Sequence, residues 1–134
     1  MRRTVYNHVK AFTAIAPAGN RLAGTVTGLS VDRNYGSEFY TSVMFVVHSG
    51  VITDGTHTVT IEHSDDDSVW DTAPVNDLQG SLPVIVAADD NELFELGYIG
   101  SKRYVRCNLV TSGAPVTGGF VDAIALLGVQ PVRR

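Results

Sequence analysis

The chain has 134 residues, ten Lys and Arg against fourteen Asp and Glu, a net charge of −4 and a single cysteine, Cys107. That length is enough for one domain with its own core, since a domain of this size hides roughly 68–70% of the surface its unfolded chain exposes. An internal disulfide is excluded for want of a second cysteine, a membrane-spanning helix for want of a long apolar run, and the acidic balance runs against a nucleic-acid footprint.

The start, Met1-Arg2-Arg3, leads into no unbroken apolar stretch, because Asn7, His8 and Lys10 interrupt it. No secretory signal is expected, and one cysteine suits a reducing cytoplasm. Turn signals then recur at short intervals: Ala18-Gly19-Asn20, Asn34-Tyr35-Gly36, Asp54-Gly55, Asp65-Asp66-Asp67-Ser68, Asp89-Asp90-Asn91, Gly100-Ser101 and Ser112-Gly113. Segments rich in Val, Thr, Ile, Phe and Tyr lie between them. This spacing predicts about eight strands in an all-β, two-sheet antiparallel sandwich. It fills residues 1–134 as a single domain with short N- and C-terminal arms. At most one helical turn is expected, near Val75 to Leu78.

The run Phe39 to His48 is apolar on both faces over Val43-Met44-Phe45-Val46-Val47, which predicts a central strand covered on each side. Asp54-Gly55 then suits a tight hairpin turn. The return run Thr56 to His63 alternates, with Val59 and Ile61 on one face and Thr58, Thr60 and Glu62 on the other. A second pair is expected between Arg103–Val110, with Val105, Cys107 and Leu109 on one face, and Phe120–Leu127, apolar on both faces apart from Asp122. The expected core is Val43, Phe45, Val47, Val59, Ile61, Val105, Cys107, Leu109, Ile124 and Leu126.

Charge is unevenly spread. Between Asn34 and Ser101 there are twelve carboxylates and no Lys or Arg, while the flanks hold all ten cations and only Asp32 and Asp122. If the flanks share one side of the fold, the molecule is electrostatically polar and docks in one orientation.

No catalytic constellation emerges. His57 and His63, six apart on one strand, stand about 20 Å from each other, too far to share a metal. A hairpin through Asp54-Gly55 would set His48 diagonally beside His63 at about 7–8 Å, a pair with no third ligand. Both sets read as polar residues at strand ends. Cys107 alternates with apolar neighbours and reads as a small core residue. Asp65-Asp66-Asp67 lacks the spaced oxygens of a calcium loop and reads as a turn. The glycine pair Gly118-Gly119 lacks the strand-to-helix setting of a phosphate loop. The expectation is a binding protein with no enzymatic activity, cofactor or metal.

Two motifs stand together: Glu62-His63-Ser64-Asp65-Asp66-Asp67-Ser68-Val69-Trp70 and Tyr98-Ile99-Gly100-Ser101-Lys102-Arg103-Tyr104-Val105-Arg106. With the Phe45–Gly50 and Asp54–Thr58 segments and the closing Ala123–Gly128, the chain resembles the capsid cement, or decoration, proteins of tailed bacteriophages, most like that of a short-tailed Bordetella phage. The resemblance implies a jelly-roll sandwich. It implies a homodimer on the outer surface of the virion head, made in the bacterial host, that clamps neighbouring copies of the major capsid protein. Lys10 and the terminal pairs Arg2-Arg3 and Arg133-Arg134 are the expected shell contacts, since arginine pairs well with carboxylates. The alternative is a carbohydrate-binding sandwich used for adhesion to the host surface, with Trp70, Tyr98 and Tyr104 as a shelf of exposed rings.

Overall fold

Branched and aromatic residues at alternate positions build strands along nearly the whole chain, and the computed structural model describes residues 4–36 and 38–128 of it. One helical turn, α1 (Val5–His8), leads into β1 (Val9–Ile15). Then come β2 (Gly24–Val26), β3 (Val31–Asp32), β4 (Asn34–Tyr35), β5 (Glu38–Phe39), β6 (Ser42–Ile52), β7 (Thr56–Ser64) and β8 (Asp71–Thr72). The remainder are β9 (Leu78–Gln79), β10 (Val84–Ile85), β11 (Leu93–Tyr98), β12 (Tyr104–Ser112) and β13 (Gly119–Gly128). The turn expected near Val75 is a 3-10 turn over Val75–Asp77, and a second covers Ala87–Asp89.

All pairings are antiparallel, and the strands form two packed sheets with a small β4–β5 ribbon beside them. The first sheet runs β1-β13-β6-β11-β9; the second runs β10-β7-β12-β2, with β3 on β12 and β8 on β7. Take the eight principal strands as β1, β2, β6, β7, β10, β11, β12 and β13. The first sheet then holds the first, eighth, third and sixth, and the second holds the second, seventh, fourth and fifth. That is the jelly-roll order.

Neither expected hairpin forms. β6 lies in the first sheet and β7 in the second, so the Asp54-Gly55 turn carries the chain across the sandwich. β12 and β13 are likewise divided between the sheets. The two arches nest: β6 pairs with β13, and β7 with β12 from Thr56↔Ser112 to Ser64↔Tyr104. The corners are joined by the Asp54 carboxylate, which accepts the N–H groups of Val116 at 2.9 Å, of Thr117 at 3.2 Å, and of Gly118. Thr53 N–H also donates to the Gly118 carbonyl. Gly118 has φ of +81° and packs on the Arg21 backbone, where a Cβ would stand 2.1 Å from the Arg21 carbonyl oxygen. Only glycine fits there.

Between the sheets Val43, Phe45 and Val47 of β6 meet Val59 and Ile61 of β7 and Val105, Cys107 and Leu109 of β12, all buried. β13 departs from expectation. Its inward residues are Val121, Ala123, Ala125 and Leu127, while Ile124 is 44% exposed and Leu126 half-buried on the outer face. A strand apolar on both sides carries no phase of its own. Packing sets it: Ala125 lies opposite Phe45, and its small side chain leaves room for the ring.

At one end of the sandwich a guanidinium is buried without a carboxylate. Arg33, 1% exposed, donates to the carbonyls of Tyr40, Thr41, Gly100 and Lys102. The rings of Phe39 and Tyr98 lie 4.8 and 5.2 Å from it. Four of its five N–H donors meet four carbonyls, which satisfies the charge without an ion pair.

Two outcomes test this architecture. Phe45→Ala, which empties a fully buried site, should lower unfolding stability in urea by about 3–5 kcal/mol. The second is acid sensitivity. The backbone N–H groups of Gly118 and Val116 hold the Asp54 carboxyl below its ordinary 3.8. A depressed folded value contributes stability above the unfolded value and loses it as pH falls through the folded one. The melting temperature should therefore drop as pH is lowered below about 4, and Asp54→Asn should flatten that drop.

Candidate interaction surface

The outer face of the first sheet is the least expected surface of the molecule. Alternation along the four long strands aligns it in rows: Val9, Gly128 and Ser42; Ala11, Leu126, Met44 and Gly97; Thr13, Ile124, Val46 and Glu95; Asp122, His48 and Leu93. Met44 is 36% exposed and Leu93 63%. The two middle rows contain a single charge, Glu95. A groove of about 410 Å³ runs between Val9, Met44, Gly97 and Leu126 toward Gln79 of β9. β6 is central, as expected, but no described element covers this side of it. Water-facing Met, Ile, Val and Leu in adjacent rows form the kind of contiguous apolar patch that marks an interaction site.

The two ends of this face differ. Beyond the Asp122 row, the Asp89–Glu92 segment packs on β6 through hydrogen bonds: Asp89 and Glu92 with Ser49, Asp90 with Ile52, and Asn91 with Gly50. At the opposite end Val9 lies beside Gly128, so β1 begins and β13 ends there.

The outer face of the second sheet is polar. The Glu62 carboxylate accepts from Arg106 Nε and Asn108 Nδ2, both at 2.8 Å, and the Arg106 guanidinium lies 4.1 Å from the Trp70 ring. Arg103 donates to both oxygens of Asp32 at 2.9 Å and covers Tyr104, and Lys102 pairs with Asp65 at 2.7 Å. These flank cations thus meet carboxylates across the fold, which reduces the charge polarity suggested by the sequence. The shelf of three rings does not exist. Tyr98 is fully buried, and its hydroxyl bonds His63 Nδ1 at 2.8 Å, while half-buried Trp70 and Tyr104 each stack with an arginine.

Of the expected shell contacts, Lys10 is exposed at the edge of β1, its Nζ 5.5 Å from the Tyr35 ring centroid and 5.9 Å from that of Phe12. Arg2, Arg3, Arg133 and Arg134 lie outside the described residues. His48 and His63 are not neighbours, because they sit in different sheets. His57 and His63 are not at wet strand ends either. Both are buried on the inner face, and His57 meets Thr111 Oγ1 at 2.9 Å and the Asp54 carbonyl at 3.3 Å. Asp66 closes its own turn by accepting the Ser68 and Val69 N–H groups, which hold its carboxyl below the ordinary value. Among the described residues no group of three His, Cys, Asp or Glu side chains is placed to hold a metal ion. The sequence signal for the apolar face is the two-sided apolar character of β6 and β13, which predicts burial on both sides and is met by burial on one.

No protein-family description matches the chain, and no curated protein matches it. Its fold does match a solved one, the crystal structure of the PBSX exported protein XepA. The TM-score is 0.63 at 17% sequence identity, over 93% of this chain and 39% of that one. The chain therefore spans about two-fifths of that protein's length, and at this identity the likeness is one of fold.

Burial pushes the Cys107 thiol up to about 12. A thiol reagent at neutral pH should leave the folded protein unlabelled and modify Cys107 only as the protein unfolds, so labelling should follow the unfolding curve in urea.

Proposed function

We propose that this protein is a structural virion protein that binds the outside of an icosahedral phage head as a dimer and holds neighbouring major capsid proteins together. The observation that carries the reading is the outer face of the first sheet: Met44, Val46, Ile124 and Leu126 form an apolar centre on it, where a protein that worked alone would present polar residues. The sandwich fold shared with the PBSX exported protein XepA is compatible with this reading. So do the buried cysteine and the buried histidines with their internal hydrogen bonds, which leave the titratable groups serving the fold.

A clamp of this kind needs two surfaces, one for its own copy and one for the shell. The two sheet faces, one apolar and one carrying Arg106, Glu62 and Trp70, differ enough in chemistry to serve separately. Weak contacts repeated over a lattice add through avidity, so neither has to be strong alone.

The test is on phage heads. Heads assembled without the protein should rupture at lower temperature and under milder osmotic shock than complete heads, and adding the purified protein back should restore resistance. Equal resistance with and without it removes the clamping role.

A further inference from the structure

We infer that the outer face of the first sheet takes an extended segment of a partner protein along β11. An apolar side chain of that segment fills the groove over Gly97, and a Lys or Arg two positions on lies beside Glu95. The inference rests on the proposed clamp for the partner's identity as the shell protein, and it names the chemistry by which that protein is recognised. Two observations carry it.

The first is charge. No Lys or Arg stands in any of the four rows of this face. Its carboxylates are Glu95, in the middle of β11, and Asp122, and Glu92 stands just before Leu93. Among the described residues the side chains of these three meet no cation and no hydrogen-bond donor. Their acidic neighbours are occupied: Asp90 accepts the Ile52 N–H at 2.7 Å and Asp89 the Val86 N–H at 3.0 Å. Arg21, toward the same end, is held by the carbonyls of Ala16 and Val121. A carboxylate beside Val46, with Met44 and Ile124 close by, is matched by a partner that brings the cation with it. The same face of a second copy brings none. Two such faces laid together set carboxylates on apolar surface or on each other, and both arrangements are unfavourable. The occupant is therefore a different chain, apolar and basic.

The second is shape. Gly97 and Gly128 present no side chain outward and Ser42 a short one, so the groove of about 410 Å³ has a floor of backbone below Val9, Met44 and Leu126. On its β9 side Gln79 lies across Gly97, where a Cβ would stand 2.8 Å from the Gln79 Oε1. The Gln79 amide makes no hydrogen bond among the described residues, which leaves it for the backbone of an incoming segment. Gly97 and Glu95 face the same way two positions apart on β11, a step of about 6.8 Å. Any extended chain has that repeat. A segment lying along β11 therefore sets alternate side chains over Gly97 and Glu95 together. The cations of this contact come from the partner, whereas the sequence suggested that this chain supplies them.

The probes are synthetic peptides, blocked at both ends, titrated into the isotope-labelled full chain and followed by nuclear magnetic resonance. The reference is Thr-Thr-Leu-Thr-Arg-Thr-Thr. Three controls replace its Arg by Glu, replace its Leu by Ser, or move the Arg next to the Leu. The reference should shift the amide signals of Met44, Glu95, Gly97 and Leu126. It should bind at least about threefold more tightly than each control, the scale of one exposed ion pair. Glu95→Lys should reverse the order of the Arg and Glu peptides, and Met44→Ser should remove the preference for Leu over Ser. Both variants should keep the wild-type circular dichroism spectrum and melting curve, because both side chains face outward. A full chain that binds none of the peptides, binds the Arg and Glu forms alike, or keeps their order in Glu95→Lys overturns the inference. A wild-type dimer in sedimentation that Ile124→Lys converts to monomer assigns the face to a second copy and overturns it too. The peptide result is independent of the shell: peptides that bind as described, with heads equally resistant with and without the protein, retain the segment site and remove the clamp.

Discussion

The Asp54 carboxylate ties together the two corners at which the chain crosses the sandwich. A turn of Asp and Gly between two strand-forming runs would ordinarily fold back on itself into a hairpin. Here its side chain is occupied by three consecutive backbone N–H groups of the Val116–Gly118 corner, some sixty residues on. Those N–H groups would otherwise need water or another acceptor, and a charged acceptor makes the stronger hydrogen bond. Holding one corner on the other lays β6 along β13 and β7 along β12. From that pairing follow the jelly-roll order, the identity of the core faces and the side on which β13 shows its isoleucine.

The buried polar groups are the counterpart of that threading. Crossing connections bring loop backbone into the ends of the sandwich, where carbonyls and N–H groups lie away from water and must be paired. Arg33 gathers four such carbonyls from two segments, Tyr40–Thr41 and Gly100–Lys102. The Tyr98 hydroxyl receives the Lys102 N–H and bonds His63, and His57 joins Thr111 to the Asp54 carbonyl. Side chains that in another setting would suggest chemistry are here part of the frame. This is the physical content of reading the protein as a binder.

The two sheet faces divide what remains. The second sheet satisfies its outward charges within itself through the Glu62, Arg106 and Asn108 cluster and the Asp32–Arg103 pair, and so is compatible with water. The first sheet offers Met44, Val46, Ile124 and Leu126 with almost nothing polar among them.

By itself the sequence determined that the protein is all-β, where its long strands lie, and which side of β7 and β12 is inward, because those strands alternate polar and apolar residues and a period of two defines a face. It also contained the ingredients of the interaction surface, in runs of β6 and β13 that are apolar on both sides. Only the tertiary structure decided which strands pair, since alternation names a face and never a partner, and the turn's own carboxylate is taken up by N–H groups some sixty residues away. Only it decided the phase of β13, where small Ala125 lies opposite Phe45 and Ile124 faces outward. And only it showed that the second apolar side of β6 lies uncovered among the described residues, because whether an apolar face is buried depends on what else the chain brings to it.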